Sequence, residues 1–516
     1  MRQSSSANLF DLIAARARQC DKPALETSGA TALTYGALLA RSARAANALV
    51  ALGVQPGDRV AAQIEKSADM IIVALACLRA GSVLLPLNPA YTLAELEYFL
   101  DDAQPALTLC QPDRLDDVRM LARRLGLPAV ESLGVAGDGT FAERIAKSSA
   151  QFETVVRAGD DLAAILYTSG TTGRSKGAML THENLTSNAL TLIDCWRFTS
   201  ADRLIHALPV FHTHGLFVAV NVALLSGATM IFQDRFDPAT AIAAMPKATS
   251  LMGVPTFYTR LLDHPGLTRE ACANMRLFVS GSAPLLAETH SAWRKRTGFS
   301  ILERYGMTET NMITSNPYDG DRRAGTVGFA LPGVSVRIAD PESGDPVPAG
   351  AIGVLEVKGP NVFRGYWRMP EKTAQEFRAD GFFVTGDLAR IDDEGYIHIV
   401  GRMKDLVISG GFNIYPKEVE SEIDAIEGVL ESAVFGAPHS DFGEGVTAAV
   451  VPCPGSALTE SAILAALAGR LAKFKAPKRV IIVGSLPRNA MGKVQKAALR
   501  EAYKDIYAPK IRPPSA

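Results

Sequence analysis

Short, wholly apolar strand-like runs alternate with helical patterns from residue 8 to about residue 400, and this alternation most constrains the fold. The runs include Arg59-Val-Ala-Ala-Gln, Ala106-Leu-Thr-Leu-Cys, Leu162-Ala-Ala-Ile-Leu-Tyr and Arg276-Leu-Phe-Val-Ser. Helical spacing fills the gaps, as at Glu65 to Arg79 and Ala283 to Thr297. A strand that is apolar on both faces must be covered on both faces, so the pattern predicts layered α/β structure with largely buried parallel strands. The longest apolar stretch, Met70 to Leu87, is interrupted by Arg79, Gly81 and Pro86, so no membrane span is predicted. Asn8 precedes an amphipathic run and predicts a capped first helix; Asp11 argues against a transit peptide there. A cytoplasmic location is the expectation.

The texture changes twice. From about Ala330, Gly and Pro turns punctuate short strands, Gly353-Val-Leu-Glu-Val-Lys-Gly and Gly395-Tyr-Ile-His-Ile-Val-Gly among them, which predicts a β-rich part over 330–402. A second change at Arg402 to Asp405 leads into a helix from Pro416, strands near Ala433 and Ala448, and a basic end. We therefore expect an α/β (α+β) protein of two domains. Residues 1–402 would form a large N-terminal domain of layered α/β subdomains with the β-rich part, and 403–516 a small mobile C-terminal α+β domain. At 516 residues the chain is long enough for several cores.

Net charge is -1, so the whole molecule offers no field to gather nucleic acid or membrane. Locally the balance differs. Between Arg470 and Arg512 there are twelve Lys or Arg residues against Glu501 and Asp505, which points to a polyanionic partner for the C-terminal end.

Tyr167-Thr-Ser-Gly-Thr-Thr-Gly-Arg-Ser-Lys-Gly177 follows a buried strand. Gly170 and Gly173 let the backbone approach oxygens closely. The hydroxyls of Thr168, Ser169, Thr171 and Thr172 can donate to phosphate, and Lys176 adds a point charge. The lysine follows Ser175, so this is not the Walker A arrangement.

The segment resembles the signature loop of the adenylate-forming superfamily, which includes acyl-CoA synthetases, luciferases and peptide-synthetase adenylation domains. Four further motifs are similar and come in the same order: Tyr305-Gly-Met-Thr-Glu-Thr310, Thr385-Gly-Asp-Leu388, Gly401-Arg-Met-Lys-Asp-Leu-Val-Ile-Ser-Gly-Gly411 and Asn489-Ala-Met-Gly-Lys493. The resemblance implies ATP, Mg²⁺ and coenzyme A as ligands. It implies that Tyr305 stacks on adenine, Thr308 lies by the phosphates and Glu309 holds Mg²⁺. It gives Asp387 the ribose, Arg402 a second ribose or phosphate contact, Lys404 the hinge, and Gly410 and Gly411 the pantetheine passage. Lys493 would bridge the substrate carboxylate and the α-phosphate during adenylation. A lysine acetyltransferase acting on Lys493 would then abolish that step, because acetylation removes the charge. Lys473, Lys475, Lys478 and Arg479 are expected near the coenzyme A phosphates.

The acid is read from two regions, His206-Ala-Leu-Pro-Val-Phe-His-Thr-His-Gly215 and Val254-Pro-Thr-Phe-Tyr-Thr-Arg260, the latter leading to Ser280-Gly-Ser282. Arg260 falls four residues after Thr256 on one helix face. These segments, with Glu303-Arg-Tyr-Gly-Met-Thr-Glu-Thr-Asn-Met, resemble malonyl-CoA synthetases. That resemblance implies malonate, with Arg260 and Ser282 on its second carboxylate, His206 assisting and His212 near the thiol entrance. Arg276, ahead of a strand, is expected to pair structurally. The alternatives are methylmalonate, another short-chain or aromatic acid, and a non-catalytic nucleotide-binding relative.

Overall fold

A computed structural model describes residues 6–508 except 18–19, 28, 30, 169–174, 411, 469 and 490–491. Contacts divide the chain into two compact units, Met1–Ser335 with Val357–Phe383, and Val336–Glu356 with Val384–Ala516. The expected boundary at Arg402 to Asp405 lies inside the second unit. Most of the β-rich region stays with the C-terminal segment, since helix Pro416–Asp424 packs on strand Ile397–Arg402.

The first unit is built on two mixed sheets. One runs in the order Gly365–Tyr366, Lys176–Thr181, Leu162–Thr168, Val83–Pro86, Arg59–Gln63, Leu107–Cys110 and Val130–Ser132. Its pairs from Leu162–Thr168 to Val130–Ser132 are parallel, and the two at the Gly365 end are antiparallel. The other has a parallel centre containing Arg203–His206, Ser250–Gly253, Leu277–Ser280 and Leu302–Met307. Antiparallel pairing at its edge brings in Asn311–Ser315. The predicted strands are thus found, with antiparallel edges where a hairpin suffices to reverse the chain.

Helix Ala68–Ala80 explains the long apolar stretch. Ser67 accepts from Met70 N, Gly81 closes the helix at φ 69°, and nearly every residue between is buried. A helix apolar all round belongs to a core. Among the described residues no helix is long and apolar enough to cross a membrane. The predicted first helix is Leu9–Arg16, with Asn8 accepting from Phe10 N.

One core cluster directly supports the site. Trp293 meets Tyr258 edge-on at 5.0 Å and Phe278 at 4.9 Å. Such aromatic pairs contribute about 1 kcal/mol each beyond the area they bury. They seat helices Pro255–Leu262 and Ala287–Thr297 on the second sheet, with the Tyr258 hydroxyl donating to Val279 O at 2.7 Å.

The second unit contains largely the meander Ser335–Ala339, Gly353–Lys358, Phe383–Ile391 and Ile397–Arg402. It also holds a sheet around the long pair Val429–His439 and Gly443–Pro452, with helix Pro416–Asp424 and Arg479–Ile482 beside them. The predicted hairpin is Val407–Ser409 with Phe412–Ile414, turned at Gly410, whose φ is 59°.

Candidate active site

In the first unit the expected phosphate loop joins two antiparallel strands, and Thr168 stands directly opposite Lys176 across the ladder. Ser169, Gly170, Thr171, Thr172 and Gly173 lie outside the described residues. Thr168 Oγ1 donates to Glu309 Oε1 at 3.3 Å. Glu309 is buried in the tight turn between Leu302–Met307 and Asn311–Ser315, a turn that places Asn311 at φ 50°. It is therefore held by a hairpin and not by a helix terminus. Tyr305 and Thr308 are partly exposed beside it. Lys176 is buried and paired with Glu376 at 3.0 Å.

The expected acid pocket gathers three histidines and a serine. Ser282 adopts φ 72°, a conformation that non-glycine residues rarely hold outside functional or strained sites. Its Oγ is 3.2 Å from His214 Nδ1. His206 is buried, with Nε2 2.9 Å from Gly215 O. Burial pushes His206 down to about 3 and His212 down to about 4. It lowers His214 well below its ordinary value, with the Arg304 guanidinium adding to the effect. All three rings are neutral at physiological pH.

Arg260 lies on the exposed side of helix Pro255–Leu262, its guanidinium 5.2 Å from the Phe236 ring centre. Arg304, by contrast, is 2% exposed. Among the described residues, its Nε and Nη2 have no hydrogen-bond partner. Burial pushes it down to about 9. A buried guanidinium without an acceptor is costly, and an anion arriving there would relieve the cost. Arg276 pairs structurally as expected, at 2.7 Å from Asp202.

A second buried cation, Lys66, donates to the carbonyls of His206 and Gln233 and sits 4.4 Å from the Phe232 ring centre. It lies just after a strand of one sheet and fastens strand ends of the other.

In the second unit Asp387 and Arg402 are ladder partners, and Arg402 Nε is 2.8 Å from Asp387 Oδ1. Desolvation first, and then Arg402, push the Lys493 ammonium down to about 8, while Asp387 and Asp405 act the other way. Lys404 is also lowered by burial and by Arg402. Asp387, Arg402, Lys404 and Lys493 are thus electrostatically one cluster. Gly410 leaves space against Phe442, whose ring a β-carbon would meet at 3.2 Å; Gly411 lies outside the described residues. Lys475 and Arg479 pair with Glu418 and Glu460 at 2.5 and 2.8 Å, and Lys478 lies 3.7 Å from the Phe442 ring centre.

Residues 13–367 match the AMP-binding enzyme family, and residues 418–493 match the AMP-binding enzyme C-terminal domain. The chain belongs to the AMP-binding enzymes. This AMP-binding enzyme is 38% identical over 494 residues to a feruloyl-CoA synthase of Amycolatopsis, covering 95% of this chain and 97% of that one. It is 32% identical over 561 residues to a malonate–CoA ligase of Arabidopsis thaliana, covering 97% and 90%. Among solved structures, ATP-bound MatB from Rhodopseudomonas palustris is 61% identical with a TM-score of 0.96, covering 97% of this chain and 100% of that one. The AMP-binding enzyme is accordingly an AMP-forming acyl-CoA synthetase, an acid–thiol ligase whose substrates are an acid, ATP and coenzyme A.

Sequence reasoning missed Arg304, Lys66, Tyr366 and Glu376. For Arg304 there was a signal: Glu303-Arg304 follows Ile301-Leu302 on a strand paired with the fully buried Leu277–Ser280. Charge inside a covered strand needs a reason.

Proposed function

We propose that this ligase activates malonate as malonyl-adenylate and transfers the malonyl group to coenzyme A. The observation that carries the reading is the buried guanidinium of Arg304, whose Nε and Nη2 have no hydrogen-bond partner among the described residues, near His214, which itself bonds Ser282. A short diacid needs one carboxylate free to react and a cation for the other. Arg304 supplies that cation out of water, where a charged pair is strongest. Ser282 adds a hydroxyl, and exposed Arg260 serves as an outer attracting charge.

In the first step a malonate carboxylate oxygen attacks the α-phosphorus of ATP, and the bond to the departing diphosphate breaks. Lys493 as an ammonium would offset the repulsion between carboxylate and phosphate and stabilise charge at the transferring group. Thr168, Lys176 and Thr308 would hold phosphate oxygens, Tyr305 the adenine, and Asp387 with Arg402 the ribose. Among the described residues no three His, Cys, Asp or Glu side chains gather as metal ligands. A magnesium ion would therefore take Glu309 plus substrate phosphate oxygens, the usual way this hard cation is held. When bound it would neutralise phosphate charge. In the second step the coenzyme A thiol attacks the acyl carbon, the carbon–oxygen bond to AMP breaks, and AMP leaves. Rotation about Lys404 between the steps would exchange Lys493 for the passage at Gly410 and Gly411.

Malonate–CoA ligases of Arabidopsis thaliana and Mus musculus, 32% and 34% identical, favour this acid. The feruloyl-CoA synthases favour an aromatic acid, but a feruloyl group brings no second carboxylate to Arg304. Diphosphate release across malonate, methylmalonate, butyrate, benzoate and ferulate decides between them. Malonate should lead by at least tenfold over the monoacids; a lead for ferulate or benzoate removes the diacid reading.

A further inference from the structure

Segments far apart in the sequence meet around the phenol of Tyr366, which is 2% exposed. Its hydroxyl lies 2.7 Å from Glu376 Oε2 and 3.1 Å from Glu309 Oε1, and its single proton serves one carboxylate at a time. The other oxygen of Glu376 receives two ammonium groups, Lys176 and Lys372, each at 3.0 Å. Lys176 Nζ rests 4.0 Å from the centre of the Tyr366 ring.

The backbone fixes this arrangement from three directions. Gly365 and Tyr366 pair with Met179 and Ala178 on the strand that begins at Lys176. Trp367 N donates to Gly177 O, and Phe363 N donates to Glu309 O, both at 2.7 Å. Gly365 has φ 134°, and a β-carbon there would stand 2.6 Å from Thr373 Cγ2, so the helix carrying Glu376 approaches as closely as glycine allows.

A lysine at the mouth of a loop ordinarily spends side-chain entropy when it meets its ligand. Here the spending is done in advance. The ammonium lies over an aromatic face and is directed by a carboxylate, and the same phenol touches the glutamate expected on the metal side. We propose that Tyr366 and Glu376 are positioning residues for the nucleotide, holding Lys176 and Glu309 at the separation at which a triphosphate meets both. This rests on the adenylation roles given above to Lys176 and Glu309, and not on which acid is used.

The test uses the full-length protein and a fluorescent ATP analogue with Mg²⁺, first without acid or coenzyme A. Tyr366→Phe removes one oxygen, and Glu376→Gln keeps the shape while removing the charge; thermal melts establish that both fold. In both variants the dissociation constant for the analogue and the KM for ATP should rise about tenfold. The KM for the acid and the thiolysis of supplied acyl-adenylate should stay within twofold of wild type, and Glu376→Asp should recover part of the loss. Unchanged or tighter nucleotide binding in both variants would overturn the proposal. So would a fall in thiolysis matching the fall in adenylation. Wild type that binds nucleotide but ignores malonate would sink only the acid assignment.

Discussion

Arg304 lies against the bare α-carbon of Gly281, where a β-carbon would stand 2.4 Å from its Cζ and Nη1. The guanidinium occupies the volume that any other residue at 281 would fill. Gly281→Ala should therefore displace Arg304 while leaving the nucleotide residues in place. The expected result is a rise in malonate KM of at least tenfold with the ATP KM unchanged, measured by diphosphate release. Equal rises in both would show general damage.

Arg304→Met separates function from stability. Replacing an unpaired buried charge by an apolar side chain is commonly neutral or stabilising. Losing one partner of a buried charge pair with a ligand costs roughly 2–4 kcal/mol, or about thirty- to a thousandfold in affinity. The variant should melt no lower than wild type, yet lose its preference for malonate over butyrate. A selective variant with intact preference would remove Arg304 from the acid site.

The proposed bridging of two anions requires a protonated Lys493, whose folded value is about 8. The value of kcat/KM for ATP reports the free enzyme. It should be flat below pH 7.5 and fall about tenfold per unit well above pH 8, for adenylation alone. Acetylated enzyme should lose adenylation at every pH and still convert supplied acyl-adenylate to thioester. Losing both reactions together would contradict the assigned role.

Lys66 provides a linkage test. Burial lowers it to about 7 from 10.5. The folded protein therefore binds fewer protons than the unfolded chain between these values, so stability should rise with pH across that window. The destabilisation is fully present below pH 7. From pH 7 to pH 9 the gain is about 2 kcal/mol. Urea unfolding of wild type and Lys66→Met at both pH values checks it: the variant should lack this increment. An identical pH dependence in the two proteins would show that Lys66 stays protonated in the folded protein as it does in the unfolded chain.

Asp387 and Arg402, ladder partners in the second unit, carry the ribose role proposed above. Asp387→Asn keeps the shape and one acceptor but loses the charge that holds Arg402. The KM for ATP should rise about tenfold, with thiolysis of supplied acyl-adenylate reduced less. A larger effect on the acid would place the pair elsewhere.

Strands such as Arg59–Gln63 and Leu162–Thr168 were legible because burial on both faces leaves a continuous apolar run. The site was legible where chemistry is local in sequence. Thr168 and Lys176 belong to one hairpin, and Asp387 and Arg402 to neighbouring strands. What escaped depends on distant packing. Nothing near Glu376 announces that its carboxylate meets a lysine two hundred residues earlier, and nothing in Arg260 announces that its helix turns it outward. The placement of the meander strands depended likewise on which helix covers them.

Two buried cations without buried counter-ions among the described residues, Arg304 and Lys66, leave the first unit electrostatically overdrawn until an anion arrives. Ligand binding to the folded form alone raises its share of the population by mass action. The lifetime of the protein against proteolysis should thus lengthen with the supply of its own acid, making proteolytic turnover a sensor of substrate abundance.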